Sequence, residues 1–196
     1  MGTKPKPTRS VTHKKKTRRG NKRKYKSVNN NLHFSIIAQN VSGIVSKKDS
    51  LCYVLNMLSP SVIVLQETKV NKVGKVKLDG YQIFEKVRTD KSGGGLLTAV
   101  LNVFDPVIVE LNDNVEILCV ELSFTVGKMT LINAYGPQEY SCSKDKIIFW
   151  QSLENEIIRS KQAGNMILIE MDANAKVGRR VLNQDPNEFM SSMANF

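Results

Sequence analysis

The chain has 196 residues, 41% of them apolar and 24% charged, ordinary values for a globular protein with one sizeable core, or a core and a tail. Of its 29 Lys and Arg, 12 fall in residues 1–31, which contain no acid. The remaining 17 face 18 acids, so the +11 net charge resides in the tail and the body is nearly neutral. Such asymmetry excludes a uniformly basic fold and points to a polyanionic partner for the tail.

Residues 1–31 read as a disordered basic arm, too poor in apolar side chains to build a core. Lys14, Lys15, Lys16, Arg18 and Arg19, followed by Lys22, Arg23 and Lys24, are dense enough for nuclear import or nucleic-acid contact. A solvated basic arm without a specific role is the alternative. The texture changes at Leu32, so residues 32–196 are expected to form one domain. Phe34-Ser35-Ile36-Ile37-Ala38 reads as a short strand ending on Gln39-Asn40. Leu51, Val54, Leu55 and Leu58 recur at helical spacing, and Pro60 stops that helix. Ser61-Val62-Ile63-Val64-Leu65 is a strand of the buried kind and ends on Gln66-Glu67.

Residues 81–87 and 95–103 read as a hairpin about the turn Asp90-Lys91-Ser92-Gly93-Gly94. Residues 115–124 and 129–135 form a second pair, joined by Thr125-Val126-Gly127-Lys128. Ile148, Phe149, Leu153, Ile157 and Ile158 define an amphipathic helix over 145–159. Met166-Ile167-Leu168-Ile169 is a last buried strand, ending in Glu170-Met171-Asp172, and the chain becomes loop-like after Val177. Mixed strands, helices and hairpins argue for an α/β or α+β sandwich.

No apolar run approaches the ~20 residues of a membrane span, so no membrane partner is expected. The charged N-terminus has no secretory signal. Cys52, Cys119 and Cys142 have no metal-binding spacing, and an odd, scattered set suggests reduced thiols in a nuclear or cytoplasmic protein, not a secreted one.

Four apolar strands end in polar side chains: Asn40, Glu67, Tyr135, and Asp172 with Asn174. Strands lying side by side in one direction would bring these residues to one sheet edge, where open α/β folds commonly bind ligands. Carboxylate and amide oxygens suit Mg²⁺ or Mn²⁺. Two unpaired carboxylates there should repel unless a cation sits between them. Each element alone has a plainer reading. Glu67 could be a solvent-facing strand end, Asp172-Ala173-Asn174 an Asx turn, and Tyr135 an aromatic lid beside a turn. Gly93-Gly94-Gly95 lacks the Lys-Ser/Thr of a phosphate-binding loop and reads better as a hairpin turn.

The joint order carries more. Gln39-Asn40-Val41-Ser42-Gly43, Leu65-Gln66-Glu67-Thr68, Gly93-Gly94-Gly95, Asn133-Ala134-Tyr135-Gly136-Pro137 and Met171-Asp172-Ala173-Asn174-Ala175 together resemble the endonuclease/exonuclease/phosphatase family over residues 32–187. The wording is most similar to the endonuclease domains of non-LTR retrotransposons, where a like Gly-rich hairpin follows a Gly-Tyr segment such as Gly80-Tyr81. The resemblance implies a four-layer αββα sandwich of two mixed sheets flanked by helices, and a Mg²⁺- (or Mn²⁺-) dependent endonuclease acting on DNA. Glu67 would be the principal metal ligand and Asn40 a supporting one. Asp172 would orient or activate water, and Asn174 and Tyr135 would hydrogen-bond the scissile phosphate.

Three departures stand out. Met171 and Ala173 occupy places where the family has glycine and an aromatic, and Glu170 is an extra acid on the face of Asp172. No Ser-Asp-His segment follows Asn174, and the two histidines are His13 and His33. The chain is therefore expected to be a domain lacking its C-terminal strands. Alternatives to an endonuclease are a catalytically dead nucleic-acid-binding module and a phosphatase of small phosphoesters or lipids.

Overall fold

The computed structural model describes residues 34–88, 93–109 and 115–175. Contacts divide the chain into Met1–Leu32 and His33–Phe196, and every described residue lies in the second unit. The arm residues Lys14 to Lys24, the turn residues Asp90, Lys91 and Ser92, and the stretch after Val177 lie outside the described residues.

Among the described residues eight strands and two α-helices follow in order: β1 (Ile36–Asn40), α1 (Lys48–Leu58), β2 (Val62–Gln66), β3 (Tyr81–Lys86), β4 (Leu96–Leu101), β5 (Val107–Val109), β6 (Ile117–Phe124), β7 (Gly127–Tyr135), α2 (Ser143–Gln162) and β8 (Met166–Asp172). They form two four-stranded sheets, ordered β1-β2-β4-β3 and β5-β6-β7-β8. Each sheet contains one parallel pair, β1 with β2 and β7 with β8, and is otherwise antiparallel.

The layers follow from side-chain alternation. Val62 and Val64 of β2 meet Leu118, Val120 and Leu131 of the other sheet in a core between the sheets. Ile63 and Leu65 point the opposite way, onto Leu51 and Leu55 of α1. Cys119, Ile132 and Ala134 point outward from the second sheet onto Phe149 and Leu153 of α2. Burial on both faces explains the uninterrupted apolar run Val62-Ile63-Val64-Leu65 of β2 and the largely apolar β7, which would be unusual in a one-sided sheet. The result is the expected αββα sandwich.

Differences from the sequence reading are local. The strand expected over 95–103 ends at Leu101 and passes into a 3-10 turn, Asn102–Phe104. The expected four-residue link between β6 and β7 tightens to two residues, because Phe124 pairs with Gly127. The edge strand β5 has three residues, too few to show periodicity. Helix α1 carries no side-chain cap; it is preceded by a 3-10 turn, Val45–Lys47, and ends on Ser59, whose left-handed backbone precedes Pro60. No helix among the described residues is long and apolar enough to cross a membrane.

Candidate active site

The C-terminal ends of the two parallel pairs, one from each sheet, come together. Parallel register places Asn40 beside Gln66 in one sheet and Tyr135 beside Asp172 in the other. Side chains then cross between the sheets. Asn40 Nδ2 donates to Asp172 Oδ2 at 2.8 Å, linking β1 to β8, and the Tyr135 hydroxyl donates to Glu67 Oε1, linking β2 to β7. Asn174 Nδ2 donates to the Gly136 carbonyl at 2.8 Å. All five expected residues, Asn40, Glu67, Tyr135, Asp172 and Asn174, therefore lie in one cluster.

Glu67 sits just past the end of β2 with φ +51°, and Asn174 just past β8 with φ +48°. Asparagine tolerates the left-handed region; for glutamate that conformation costs about 1–3 kcal/mol and is held only where surroundings over-determine it. They do so here. Gly43 and Ile44 donate to the Glu67 and Thr68 carbonyls at 2.7 and 3.0 Å, while Thr68 and Lys69 donate to the Gly95 and Gly94 carbonyls at 3.1 and 2.9 Å. The segment carrying Glu67 is laced on one side to the β1 loop and on the other to the glycine hairpin. Gly95, at φ +88°, has no room for a side chain, since a Cβ would lie 2.7 Å from Thr68 Oγ1. The glycine run is thus the expected hairpin, and it braces Glu67.

Beneath the cluster lies a polar network that sequence reasoning missed. Asn133, on β7 two residues before Tyr135, is fully buried between the sheets. Its Nδ2 lies 3.2 and 3.0 Å from the carbonyl oxygens of Leu65 and Leu97 and 3.2 Å from Thr98 Oγ1, and Gln66 Nε2 donates to its Oδ1 at 3.0 Å. Asn133 so ties the end of β7 to β2 and β4 immediately before Glu67. The available signal was an asparagine inside an otherwise apolar strand.

Lys69 was also missed, although it stands two residues after Glu67. Its ammonium lies 3.5 Å from Glu67 Oε2 and 2.9 Å from Ser42 Oγ. The hydrogen bond from Tyr135, with smaller contributions from Lys69 and Asn40, holds the Glu67 carboxyl below the usual range against the opposing effect of burial. Tyr135 moves the other way: burial and then the Glu67 carboxylate raise its phenol above the usual value. At neutral pH the pair is a carboxylate accepting from a neutral phenol.

These partners correct one expectation. The two carboxylates are not unpaired: Asp172 accepts from Asn40 and, through Oδ1, from the Asn174 backbone N–H at 3.0 Å, while Glu67 accepts from Tyr135 and lies 3.5 Å from the Lys69 ammonium. The Asx turn at Asp172 therefore coexists with its place in the cluster. Two carboxylates and an amide remain a hard oxygen donor set suited to Mg²⁺ or Mn²⁺, which keep several waters when bound. Among the described residues no group of three His, Cys, Asp or Glu side chains is assembled.

A cavity of about 730 Å³ opens beside the cluster, with Glu67 and Tyr135 in its wall. The Arg88 guanidinium, ion-paired with Glu116, lies over the Tyr135 ring at 5.8 Å from its centroid.

No protein-family model matches the sequence. Solved structures do match. The catalytic domain of Xenopus laevis APE2 superposes with TM-score 0.63 at 19% identity over 78% of this chain. The endonuclease domain of TRAS1, a telomere-specific non-LTR retrotransposon, gives 0.54 at 15% identity over 83% of this chain and 70% of its own length. An AP endonuclease from Archaeoglobus fulgidus gives 0.55 at 18% over 80% of this chain.

The chain has the endonuclease/exonuclease/phosphatase fold.

It spans 62% of the length of the APE2 domain and 63% of that of the archaeal enzyme. Within this endonuclease/exonuclease/phosphatase scaffold, Met171 is accommodated without distortion. It pairs with Ala134 in regular register and packs toward α2. The close backbone approach occurs at Gly136 instead: its N–H donates to the Asp172 carbonyl at 2.8 Å, and a Cβ there would lie 2.7 Å from the Ala173 carbonyl oxygen. Glu170 pairs in register with Asn133, on the same face of β8 as Asp172, and has no ion pair among the described residues.

Proposed function

We propose that the domain is a metal-dependent phosphodiesterase that nicks DNA, derived from a non-LTR retrotransposon endonuclease. One observation carries this reading: Asn40, Glu67, Tyr135, Asp172 and Asn174 gather from four strand ends in two sheets, held by hydrogen bonds in two neighbouring groups, Asn40–Asp172–Asn174 and Tyr135–Glu67. The fold shared with nucleases, and with the TRAS1 endonuclease domain among them, supports it.

Mg²⁺ or Mn²⁺ held by Glu67 and Asn40 would supply positive charge to the phosphate oxygens. The chain's own residues do the rest. Glu67, already ionised through Tyr135, offers its carboxylate without first losing a proton. Asp172 is a hydrogen-bond acceptor placed to orient an attacking water. The Asn174 amide and the neutral Tyr135 phenol are donors beside the site; the single phenol proton rests on Glu67 in this structure and must turn to the phosphate to stabilise growing charge. The basic arm, with Lys14, Lys15, Lys16, Arg18, Arg19, Lys22, Arg23 and Lys24, adds sequence-independent attraction to DNA phosphates and a nuclear import signal.

A second reading is a nucleic-acid-binding module without turnover, favoured by the 12 Lys and Arg of residues 1–31, which contain no acid. Loss of a general acid or base costs about 10²–10⁴ in rate. The deciding experiment is nicking of supercoiled plasmid in Mg²⁺ by the chain as given and by the chain extended with a related domain's Ser-Asp-His segment. The extended chain is expected to nick faster by that factor, with nicking abolished by Glu67→Gln. Nicking indifferent to Glu67→Gln refutes the enzyme reading; no nicking by either form leaves the binding module.

A further inference from the structure

The cavity beside the cluster is asymmetric with respect to it. Glu67 and Tyr135 line it, whereas Asn40, Asp172 and Asn174 do not. It therefore extends to one side of the five residues, past Arg88 and Gln138 toward Tyr140 and Lys144 at the start of α2. A polynucleotide whose reacting phosphate lies at the cluster can lay an adjoining nucleotide along this side.

The far wall is built for such a unit. Tyr140 is 85% exposed, yet it is not on a loose loop. The turn that carries it is closed by a hydrogen bond from the Ser141 N–H to the Gln138 carbonyl at 2.9 Å, and the Lys146 ammonium donates to the Glu139 carbonyl at 2.6 Å. An aromatic ring held in water by a fixed turn is costly to leave bare and ready to stack. Lys144 is exposed and has no ion pair among the described residues, unlike Arg88, which Glu116 neutralises. At about 730 Å³ the cavity falls within the roughly 300–1,000 Å³ of small-ligand sites, ample for a nucleotide.

We propose that this pocket seats the nucleotide next to the reacting phosphate as an unpaired base stacked on Tyr140, with its own phosphate at Lys144. The substrate is then DNA that is single-stranded or opened at this position. The inference rests on the phosphodiesterase reading, because the cluster sets where the reacting phosphate lies. Stacking on an aromatic face needs an unpaired base and tolerates any base identity.

The test uses the full chain with a short single-stranded oligonucleotide carrying one 2-aminopurine, whose emission falls when it stacks. Salt at about 0.3 M weakens the arm's phosphate contacts. Wild type and Tyr140→Phe are expected to quench the probe. Tyr140→Ala should not, and should bind about 5- to 150-fold more weakly, the range found for losing one base stack. Lys144→Gln should keep the quenching and lower the slope of log affinity against log salt by about 0.7. Quenching that persists in Tyr140→Ala, or that is equal when the probe base is paired in continuous duplex, overturns the proposal. Mn²⁺ relaxation on the same samples separates the two readings. Retained Glu67-dependent Mn²⁺ binding with quenching indifferent to Tyr140 removes the stacking pocket alone, and Mn²⁺ binding indifferent to Glu67→Gln removes the phosphodiesterase reading.

Discussion

Replacing Asn133 with valine puts a strand-favouring β-branched residue in β7 and removes the polar contacts Asn133 makes to β2 and β4 just below Glu67. In the folded protein the Asn133 side chain satisfies four groups: the carbonyls of Leu65 and Leu97, the Thr98 hydroxyl and the Gln66 amide. Thr98 is fully buried and Gln66 is 3% exposed, so water does not replace the lost partner. A buried polar group left unsatisfied costs about 1–3 kcal/mol, while carbonyls retaining other donors lose less. The two side chains alone put the destabilisation at about 2–6 kcal/mol. Urea unfolding followed by far-UV circular dichroism and by Trp150, the single tryptophan, measures it. The logic makes a second demand. Gln66→Leu in the Asn133→Val background should recover about 1 kcal/mol or more, because removing both partners avoids stranding one of them. Because the network lies beneath Glu67, Asn133→Val should also weaken Mn²⁺ binding under conditions where the protein remains folded. A destabilisation below about 1 kcal/mol, or strict additivity of the two changes, would refute the idea that the network joins the sheets.

Mn²⁺ relaxation titration should give weak binding in the wild type that Glu67→Gln largely removes; equal binding would eliminate Glu67 as a ligand. The depressed Glu67 carboxyl contributes stability that is present above its unfolded value of 4.5 and is lost as pH falls through the lower folded value. Tyr135→Phe should therefore flatten the acid limb of a stability–pH curve, and an unchanged limb would contradict the pairing. Burial, followed by the nearby Glu156, pushes the Cys119 thiol up to about 12. A thiol-disulfide reagent should label exposed Cys142 rapidly and Cys119 only after unfolding, so rapid labelling of Cys119 in native protein would count against the core described. Deleting residues 1–31 should remove most of the salt dependence of duplex binding, which scales as about 0.9 per phosphate contact. A body that binds as tightly, with the same slope, would place the DNA-binding surface elsewhere.

Much of this was legible from the sequence because it depends on local chemistry. The runs at β2 and β8, the helical spacing of Leu51, Leu55 and Leu58, and the Gly93-Gly94-Gly95 hairpin declare themselves through periodicity and backbone freedom. The five polar residues at four strand ends were visible because each strand's apolar run gives way to them at its C-terminus. Their meeting was an inference from order alone; hydrogen bonds spanning 68 residues for Glu67 with Tyr135 and 132 for Asn40 with Asp172 belong to the sheet pairing. Only the tertiary structure could decide which neighbours matter. Lys69 resembles any surface lysine until the left-handed turn at Glu67 folds it back over the carboxylate. Asn133 resembles an outlier in a strand until two stacked sheets place its Nδ2 beside the Leu65 and Leu97 carbonyls and the Thr98 hydroxyl, and its Oδ1 where Gln66 donates to it. Met171 seemed the risky substitution, whereas the tight approach falls at Gly136, on the neighbouring strand's exit. Propensity and patterning act over a few residues along the chain; the partners of a buried polar side chain are set by what packing brings within about 3 Å, across any separation in sequence.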